Sequence, residues 1–467
     1  MSRGAAPEPD AGPWPVDEPA PLAAAAARTP PTARPEDADG FVGVLRRVDF
    51  RLLWAAQVCS QLADKFLMFT LLVLVYTLTG RSTGSSLLMV AYTLPSVLLS
   101  APAGVYADRH DKRTLMLGTN IVRGGLIMLI PLSQHLSYVA DRAWPLLVIT
   151  LLFSAVGQVF APAEAASLPF LVRREQIMTA TSLFMTTAVV TLVVGVPLAT
   201  ISVRVLGATA PFYVATALFA AASICIWRVR TSLRAAVLAH APARNIGREL
   251  REGVMILGSH PALRIALGLT TLALIVVFSV FGLGPAYMSQ LLGLPPADTY
   301  LLLIPLTAGL VGSALLLGRA TTARVPSRSR LAVWSMVASG AALLGLGLVP
   351  GTLRQSAASG LATPSAMVLA VAFGWSLGAL LIPVFTVLQE RTDEATRGRI
   401  FGGIFTIVNA AVALPLVLAG GFADGFGVAR VVSVLGGGLL LAGVGAGTLG
   451  RDQLRVLDVP APSRPAT

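Results

Sequence analysis

Cysteine and histidine are scarce in this chain, and their scarcity excludes several kinds of site. Among 467 residues there are two cysteines, Cys59 and Cys225, and both lie within apolar runs. This pattern indicates neither a disulfide framework nor a thiolate metal site. The four histidines lie in or near polar loops, and no His pair, Cys–His pair or serine elbow of the kind that catalysis requires is present. The sequence therefore predicts no metal, no cofactor and no enzymatic activity.

Nucleotide-binding loops and charged residues are also lacking. No Gly-x-x-x-x-Gly-Lys-Ser/Thr sequence occurs, so ATP is not expected to drive any activity of this chain. Only 12% of the residues are charged, whereas 55% are hydrophobic and the mean hydropathy is +0.75. A water-soluble protein could not easily bury so much apolar surface, and this composition favours residence in a bilayer.

Long apolar runs make up most of the chain. A hydrocarbon core about 30 Å thick needs roughly 20 apolar residues for each helical crossing, and these runs do not alternate as membrane β-strands do. They fall at about residues 52–78, 84–106, 114–132, 144–163, 179–203, 209–228, 264–289, 299–318, 331–349, 365–388, 400–421 and 429–449. The sequence predicts an all-α membrane protein with twelve transmembrane helices in two six-helix bundles.

The distribution of Lys and Arg predicts the orientation. A net charge of +12 would suggest a nucleic-acid partner in a soluble protein, but here the cations lie in short loops between spans, so no nucleic acid is expected. They are concentrated in alternate loops, and the opposite loops hold only Arg81, Arg142, Arg204, Arg354 and Arg430. The positive-inside rule then predicts cytoplasmic N- and C-termini in a bacterial inner (plasma) membrane.

A long polar interruption divides the spans six and six. Within it, the segment 244–253 alternates Arg with Glu and carries apolar residues at helical spacing, which predicts a helix lying along the membrane surface. The first residues lack a basic start followed by an apolar core, so no cleavable signal is expected. The predicted organisation is a disordered cytoplasmic tail (1–45), an N-terminal bundle (46–228), a cytoplasmic linker (229–262), a C-terminal bundle (263–450) and a cytoplasmic tail (451–467).

One loop carries a recognisable motif. After the second span comes the run Gly104-Val105-Tyr106-Ala107-Asp108-Arg109-His110-Asp111-Lys112-Arg113. It resembles the loop signature of the major facilitator superfamily, in which a glycine is followed by Asp-Arg and then by a basic pair. Its place between spans two and three matches the place of the signature in that family. The resemblance implies the major facilitator fold, with two bundles that move about a site near the midplane.

Further segments resemble the drug-exporter branch of this family, which includes siderophore and macrolide exporters. The run 49–54 with Gln57, Ser60, Gln61 and Asp64 looks like the first helix of the branch. Residues 160–163 with 168–172 look like the loop between its fourth and fifth spans, and residues 397–402 look like the start of its eleventh. Several departures limit the likeness, and one is that the loop between spans eight and nine, Gly318 to Arg330, keeps its basic charge but has no acid. The antiporter motif of span five survives only as Gly195-Val196-Pro197, the fourth span lacks a deep arginine, and Lys65 follows Asp64 directly.

The motif and the charges at the cytoplasmic face predict a gate. Asp108 lies where a helix ends, and a carboxylate there can accept hydrogen bonds from the free amides at the start of span eleven. The hypothesis is that Asp108 latches the two bundles and that Gly104 permits close approach. The alternative is that these charges only anchor the loop or remain solvated. The residues assigned to the motif and gate are Gly104, Asp108, Arg109, Lys112, Arg113, Glu164, Glu390, Arg397 and Arg399, together with Arg173 and Arg174.

Charged and polar residues inside spans are the candidates for coupling and substrate contact. Asp64 is the leading candidate for coupling, because an unpaired charge near the middle of a span needs a cavity, a partner or a proton. Lys65 could instead form a neutral structural element with it. For Arg123 a structural pairing is favoured over substrate contact, and for the polar amides a packing role is favoured. The amides are Gln57, Gln61, Gln158 and Asn409.

Together these features predict a secondary active transporter. The favoured function is proton-coupled efflux of amphipathic small molecules, such as drugs, secondary metabolites or siderophores, by alternating access. An apolar cavity with few charges can bind varied hydrophobic compounds, which supports this hypothesis. The alternatives are an importer or flippase of a lipid-like substrate, or a non-transporting sensor of the same fold. The expected partners are a small-molecule substrate, protons and membrane lipids, and the chain is expected to be a monomer.

Overall fold

A computed structural model of the chain describes residues 40–133, 142–233, 261–319, 327–390, 394–448 and 454–458. From 394 to 407 it describes the backbone alone. The N-terminal tail up to residue 39 and the predicted surface helix at 244–253 lie outside the described residues. The boundaries predicted for the tails and the linker therefore stay predictions.

Twelve helices in the described part are long and apolar enough to cross a membrane, which confirms the predicted number. Ahead of them lies a short helix, Gly40–Leu45. The twelve are α1 (Val48–Thr79), α2 (Ser82–Arg109), α3 (Lys112–Ser133), α4 (Trp144–Leu171), α5 (Ile177–Leu206), α6 (Ala210–Arg228), α7 (Pro261–Tyr287), α8 (Tyr300–Arg319), α9 (Arg328–Arg354), α10 (Ala362–Glu390), α11 (Glu394–Phe426) and α12 (Val428–Thr448).

Glycines form several of the tight turns between these helices. Gly80, Gly207, Gly293 and Gly427 have φ values of 63°, 87°, 68° and 88°. Side-chain-bearing residues rarely adopt such angles, so glycine lets the chain leave one helix and start the next within a few residues. All four turns lie at one end of the bundle, here called the distal end. The opposite end, which holds both Gly40 and Thr448, is called the terminal end.

The packing of the helices repeats at an interval of six. In the first half α2 packs on α4, α3 packs on α4 and α6, and α1 packs on α5. In the second half α8 packs on α10, α9 packs on α10 and α12, and α7 packs on α11. Such a repetition is typical of transporters built from two related halves. The architecture is therefore all-α, with two six-helix bundles, as predicted.

The two halves meet mainly where α2 packs on α11, and also where α5 packs on α8 and α2 packs on α7. At the distal end, Tyr76 and Ser289 share a hydrogen bond of 2.7 Å between their hydroxyl groups. Nearby, Arg204 forms an ion pair with Asp298, whose carboxylate oxygen is 2.9 Å from the Arg204 Nε. These contacts hold the distal ends of the halves together in this conformation.

A third distal contact joins the ends of α2 and α11. Asp424, near the end of α11, accepts hydrogen bonds from the backbone amides of Ser82 and Thr83 and from the Thr83 hydroxyl. These amides belong to the first turn of α2, where helical backbone donors lack partners within the helix. The residue at the N-cap of α2, Arg81, provides no side-chain cap of its own. Asp424 thus caps a helix that belongs to the other half.

Helix α4 extends beyond its predicted end. Its apolar run was expected to end at residue 163 and to be followed by a loop, but the helix continues to Leu171. It contains Pro162 and Pro169, which membrane helices tolerate because neighbouring groups can satisfy the freed carbonyls. The expectation that Glu164 ends the span at the membrane face is therefore wrong. Glu164 lies inside the helix and is buried.

Candidate functional site

A cavity of about 330 Å³ lies midway through the bundle. Most of its wall comes from α1 to α4, and α7 and α11 of the second half contribute one residue each. The lining residues are Ser60, Gln61, Asp64, Tyr92, Thr93, Ser96, Arg123, Ser154, Gly157, Gln158, Phe160, Ala161, Glu164, Phe278 and Asn409. The wall therefore combines aromatic surface, hydroxyl and amide groups, and three ionisable side chains.

An ion pair between α1 and α3 forms one side of the cavity. The Arg123 guanidinium donates a hydrogen bond to an oxygen of the Asp64 carboxylate, and the two side chains are 6% and 19% exposed. The guanidinium carbon lies 4.1 Å from the ring centre of Phe153 and 4.8 Å from that of Phe219. Stacking on two rings offers the cation a further favourable contact. The candidate coupling residue, Asp64, is thus paired, and its partner is Arg123 rather than Lys65.

Arg123 fits here because α4 offers no side chain at the point of contact. A Cβ placed on Gly157 would lie 3.3 Å from the guanidinium carbon of Arg123. That spacing is tighter than most contacts in packed interiors, so a larger residue would push the guanidinium away. The Arg123 Nε is buried and has no hydrogen-bond partner in the part of the chain that the structure describes. The guanidinium is therefore confined but not fully satisfied.

Glu164 is a second carboxylate in the cavity wall. Its residue is only 8% exposed, and its Oε1 atom is buried without a hydrogen-bond partner among the described residues. Helical spacing places it on the same face of α4 as Ser154, Gly157 and Ala161, which also line the cavity. Glu164 lies inside α4 and lines this cavity, and its assignment to a cytoplasmic gate stays a prediction.

The predicted amides divide between the cavity and the helix interfaces. Gln61, Gln158 and Asn409 line the cavity. The Gln61 side-chain oxygen accepts a 3.0 Å hydrogen bond from the Thr191 hydroxyl, and the Gln158 amide donates to a backbone carbonyl of its own helix at 3.2 Å. Gln57 is buried elsewhere, where its amide donates to a carbonyl of α5 at 3.4 Å. The structure thus brings three of these four predicted residues together.

Lys65 lies on a different side of α1 from the cavity. A Cβ added to Gly195 of α5 would be 3.1 Å from both the Cβ and the Cγ of Lys65. The aliphatic stem of the lysine therefore packs where α5 lacks a side chain, at the remnant of the antiporter motif. Lys65 is not among the residues that line the cavity. Adjacent helical positions point about 100 degrees apart, which explains the separation from Asp64.

The basic residues of the loop motif hold the terminal end of the first half together. Lys112 is buried, and its ammonium donates to the backbone carbonyl of Asp108 at 3.2 Å. Arg113 donates to the carbonyl of Trp227 near the end of α6. Both cations contact the C-terminal ends of helices, where the helix dipole favours positive charge. Asp108 and Arg109 are exposed.

The remaining gate residues give a mixed outcome. A Cβ on Gly104 would meet no atom within 4 Å, so this conformation shows no close approach at Gly104 in the described part of the chain. Glu390, Arg397 and Arg399 lie where the structure does not describe side chains. Their assignment to a cytoplasmic gate, like the latch hypothesis for Asp108, stays a prediction.

Several cavity residues were missed by the sequence analysis. Tyr92, Phe278 and Ser154 belong to apolar runs and carry no charge, so composition gave no reason to select them. A signal was available for Ser154, because it precedes Gln158 by one helical turn on the same face. The distal residues Asp298 and Asp424 were also missed, although a carboxylate next to a turn is a common helix cap.

Twelve helices in two similarly packed halves around a cavity at mid-depth are the architecture of a membrane transport protein. The family model described as Major Facilitator Superfamily matches residues 53–414. The chain belongs to this superfamily and is a multi-pass membrane protein. Its family and fold are those of transporters, not of enzymes.

Known relatives are distant. Macrolide efflux protein A of Streptococcus pyogenes is 24% identical over 393 residues, which cover 82% of this chain and 91% of the relative. The uncharacterized MFS-type transporter YfiS of Bacillus subtilis is 26% identical over 401 residues, which cover 84% of this chain and 91% of that relative. Among solved structures, the chain superposes on a bacterial homolog of the human lysosomal transporter Spinster in an inward-facing and occupied conformation. The TM-score is 0.64 at 11% identity, and the match covers 89% of this chain and 98% of that structure. The nucleoside transporter NupG gives a TM-score of 0.62 at 11% identity, with 85% of this chain and 98% of that structure covered.

Proposed function

We propose that this chain is a proton-coupled exporter of amphipathic small molecules that works by alternating access. The observation that carries the proposal is the Asp64–Arg123 ion pair in the wall of a mainly uncharged cavity. Ionisable groups inside a membrane protein usually serve transport, because placing them there is costly. The likeness to a macrolide efflux protein supports the direction and the substrate class.

Coupling would work through exchange of partners on Asp64. A proton bound to Asp64 removes the charge that holds Arg123, and the guanidinium is then retained only by the Phe153 and Phe219 rings. Because Asp64 lies on α1 and Arg123 on α3, the loss of their pair changes the contact between two helices that border the cavity. Removing one partner of a buried ion pair destabilises a protein by roughly 3–5 kcal/mol, because the other charge is left buried without compensation. Such a change is large enough to shift a conformational equilibrium.

Opening and closing would use the contacts at the two ends. The distal contacts hold one end closed in this conformation. At the terminal end, Asp108 would cap the start of α11 when that end closes. We expect the terminal end to face the cytoplasm of a bacterium, because Lys and Arg are concentrated there. We also expect a monomer to suffice, since one chain forms the whole cavity.

The test is transport by purified protein in lipid vesicles, with and without an imposed pH gradient. The substrates are a radiolabelled macrolide, an iron-free siderophore and a fluorescent phospholipid. We expect the gradient to drive the macrolide or the siderophore in the wild-type protein. Asp64→Asn should abolish that component and leave the elution volume in gel filtration unchanged, whereas Glu175→Gln, an exposed carboxylate change, should behave as wild type.

Three outcomes would contradict the proposal. One is transport that ignores the gradient in the wild-type protein. Another is an Asp64→Asn variant with wild-type pH dependence. The third is movement of the phospholipid alone, which would identify a flippase instead.

A further inference from the structure

A basic groove lies at the terminal end of the first half, apart from the central cavity. It has a volume of about 1130 Å³ and is formed where the starts of α1 and α3 meet the ends of α4 and α6. Its wall includes four arginines, Arg47, Arg113, Arg228 and Arg230. In the described part of the chain the groove and the central cavity share no lining residue. The groove is therefore a separate feature of the molecule.

Two of these arginines are held in place by backbone carbonyls. The Arg47 guanidinium donates to the carbonyl of Leu171 at 3.4 Å, and that of Arg113 donates to the carbonyl of Trp227. These carbonyls belong to the last turns of α4 and α6, where the helix dipole favours a cation. A guanidinium carries several N–H donors in a fixed fork. One hydrogen bond to a carbonyl therefore positions each group and leaves donors for an anion.

The carboxylate in the wall already accepts hydrogen bonds from neutral groups. Asp49, in the first turn of α1, accepts from the Thr231 amide at 2.9 Å, from the Arg230 amide at 3.3 Å and from the Thr231 hydroxyl. Asp49 thereby ties the segment that follows α6 to the start of α1, and this contact fixes the backbone of Arg230. With four arginines and one carboxylate among the residues that line the groove, its described wall favours an anion.

Exposed apolar side chains lie beside the arginines. Trp227 and Val48 line the groove and are 62% and 57% exposed, and Phe170 also lines it and is exposed. Ile224, one turn before Arg228 on α6, is exposed as well. In a bundle of membrane-spanning helices such side chains contact lipid, and tryptophan is enriched where the hydrocarbon meets the headgroups. The groove therefore joins a cationic wall to a surface that suits acyl chains.

A similar groove recurs in the second half. It has a volume of about 970 Å³, lies between the start of α9 and the end of α12, and is lined by Arg330, Arg455 and the exposed Trp334. A carboxylate again ties the segment after the last helix of the half to the start of another helix, because Asp458 accepts a 3.0 Å hydrogen bond from the Ser329 amide. The combination of arginine, tryptophan and a tied segment is thus a repeated feature of the terminal end.

We propose that the groove of the first half binds the headgroup of an anionic phospholipid, whose acyl chains lie along the exposed surface of α6. Guanidinium groups match the geometry of phosphate oxygens and can bind them through paired hydrogen bonds. Basic pockets between membrane helices are a known setting for acidic lipid headgroups. A zwitterionic phospholipid offers the same phosphate together with a cationic group that the arginines repel. The inference goes beyond transport, because the lipid is a resident partner and not a solute that crosses the membrane.

Orientation in the membrane does not by itself require this arrangement. The positive-inside rule needs Lys and Arg on one side of the membrane, wherever they lie within the loops. It does not require four arginines on one groove, two of them fixed by helix-end carbonyls. A binding site predicts saturable and selective retention of one class of lipid, whereas a role in orientation alone predicts none.

The test measures lipid binding by the purified full-length chain in detergent. The probes are dioleoyl phosphatidylglycerol and dioleoyl phosphatidylcholine, which have the same acyl chains but differ in net charge. Native mass spectrometry counts the bound lipids, and the melting temperature is followed as each lipid is added. We expect phosphatidylglycerol to bind about 10-fold or more tightly than phosphatidylcholine and to raise the melting temperature. Added salt should weaken its binding, because it screens the charges, and inorganic phosphate should not replace the lipid.

The variants assign the binding to this groove. Arg228→Gln combined with Arg230→Gln should lose one bound phosphatidylglycerol relative to the wild-type protein, and affinity at the site should fall roughly 5-fold for each arginine removed. The corresponding pair of lysine substitutions should retain much of the binding, because the charge remains. Arg142→Gln combined with Arg430→Gln is the matched control, since it removes the same charge from exposed positions at the distal end, and it should bind as the wild-type protein does.

A second measurement decides the question if the glutamine variant does not fold. Phosphatidylglycerol with brominated acyl chains quenches the fluorescence of tryptophans that it contacts. The quenched fraction should be smaller in Trp227→Phe than in the wild-type protein, and brominated phosphatidylcholine at the same concentration should show a much smaller difference.

Equal affinity of the wild-type protein for the two lipids would overturn the inference. Wild-type retention of phosphatidylglycerol by a folded glutamine variant, or equal quenching in Trp227→Phe and the wild-type protein, would do the same. An equal rise in melting temperature with inorganic phosphate alone would identify a site for soluble anions and would also overturn it.

Discussion

The carboxylate of Asp424 should control the stability of the closed distal end. It belongs to α11, yet it accepts hydrogen bonds from two backbone amides in the first turn of α2, and the Thr83 amide lies 3.0 Å from its oxygen. Opening the distal end must break these bonds, because they join the two halves. We therefore expect Asp424→Asn, and more strongly Asp424→Ala, to favour a distal-open conformation.

The magnitude follows from known helix caps. Replacing a capping Asp costs about 0.5–2 kcal/mol, and loss of the negative charge at the helix N-terminus costs a further 0.3–1 kcal/mol or so. A change of about 1–2 kcal/mol alters a two-state ratio by roughly 5–30-fold. The Asp424→Ala variant should lie at the upper end of this range, since Asn keeps one acceptor oxygen.

The assay is a distance measurement between spin labels at the distal end. Cys59 and Cys225 are first replaced by Ala, and single cysteines are then placed at the exposed positions Thr209 and Ser356, which lie in different halves. The wild-type background should give mainly a short distance. In each Asp424 variant the distance distribution should contain a longer component, and the ratio of distal-open to distal-closed molecules should rise by roughly 5–30-fold.

A matched control is available at the other end of the molecule. Asp458, in the segment that follows α12, caps α9 by accepting a 3.0 Å hydrogen bond from the Ser329 amide, and this contact does not join the two halves. Asp458→Asn removes a similar cap without affecting a contact between halves, so the distal distance should not change. Unchanged distances in both Asp424 variants, or an equal response to Asp458→Asn, would refute the reasoning.

Three further substitutions test the packing directly. Gly374→Ala should lower the melting temperature in detergent, because its Cβ would lie 1.9 Å from a backbone carbonyl oxygen of α8. Gly351→Ala is the control, since a Cβ there would meet no atom within 4 Å. Equal melting temperatures of the two variants would contradict the predicted clash. Phe153→Leu should destabilise the protein by about 0.5–2 kcal/mol through loss of its contact with the Arg123 guanidinium, and unchanged thermal unfolding would count against a role for that stacking. Tyr76→Phe removes the 2.7 Å hydrogen bond between the halves. The rate at which a distal cysteine is labelled should increase several-fold, because the lost hydrogen bond contributes about 1 kcal/mol. A labelling rate equal to that of the wild-type protein would show that this bond does not hold the halves together.

The number of crossings and the division into halves were accessible from the sequence. Each crossing depends on the transfer of about 20 consecutive residues into hydrocarbon, which is a local property of the chain. The loop motif at 104–113 is equally local, and it indicates the superfamily without reference to any tertiary contact. The ends of the spans were less certain, because an apolar run can finish before its helix does, as in α4.

The composition of the site depended on tertiary structure. Hydropathy identifies Asp64 and Arg123 as charged residues whose burial in a membrane span is unfavourable. It does not show that the two side chains meet, since they are separated by 59 positions along the chain. The same holds for Asp424 and Ser82, which are 342 positions apart. Contacts of this kind depend on the rotation of each helix about its axis and on its neighbours. Those are set by packing between helices, which hydropathy does not describe.

Glu164 illustrates the boundary between the two kinds of information. The sequence alone established that a carboxylate follows an apolar run, and an interfacial position was the natural interpretation. The continuation of α4 through Pro162 buried that carboxylate and turned it toward the cavity. The physical reason is that bilayer insertion fixes how many residues are apolar, whereas contacts among helices decide where a helix ends and which of its polar groups remain without a partner.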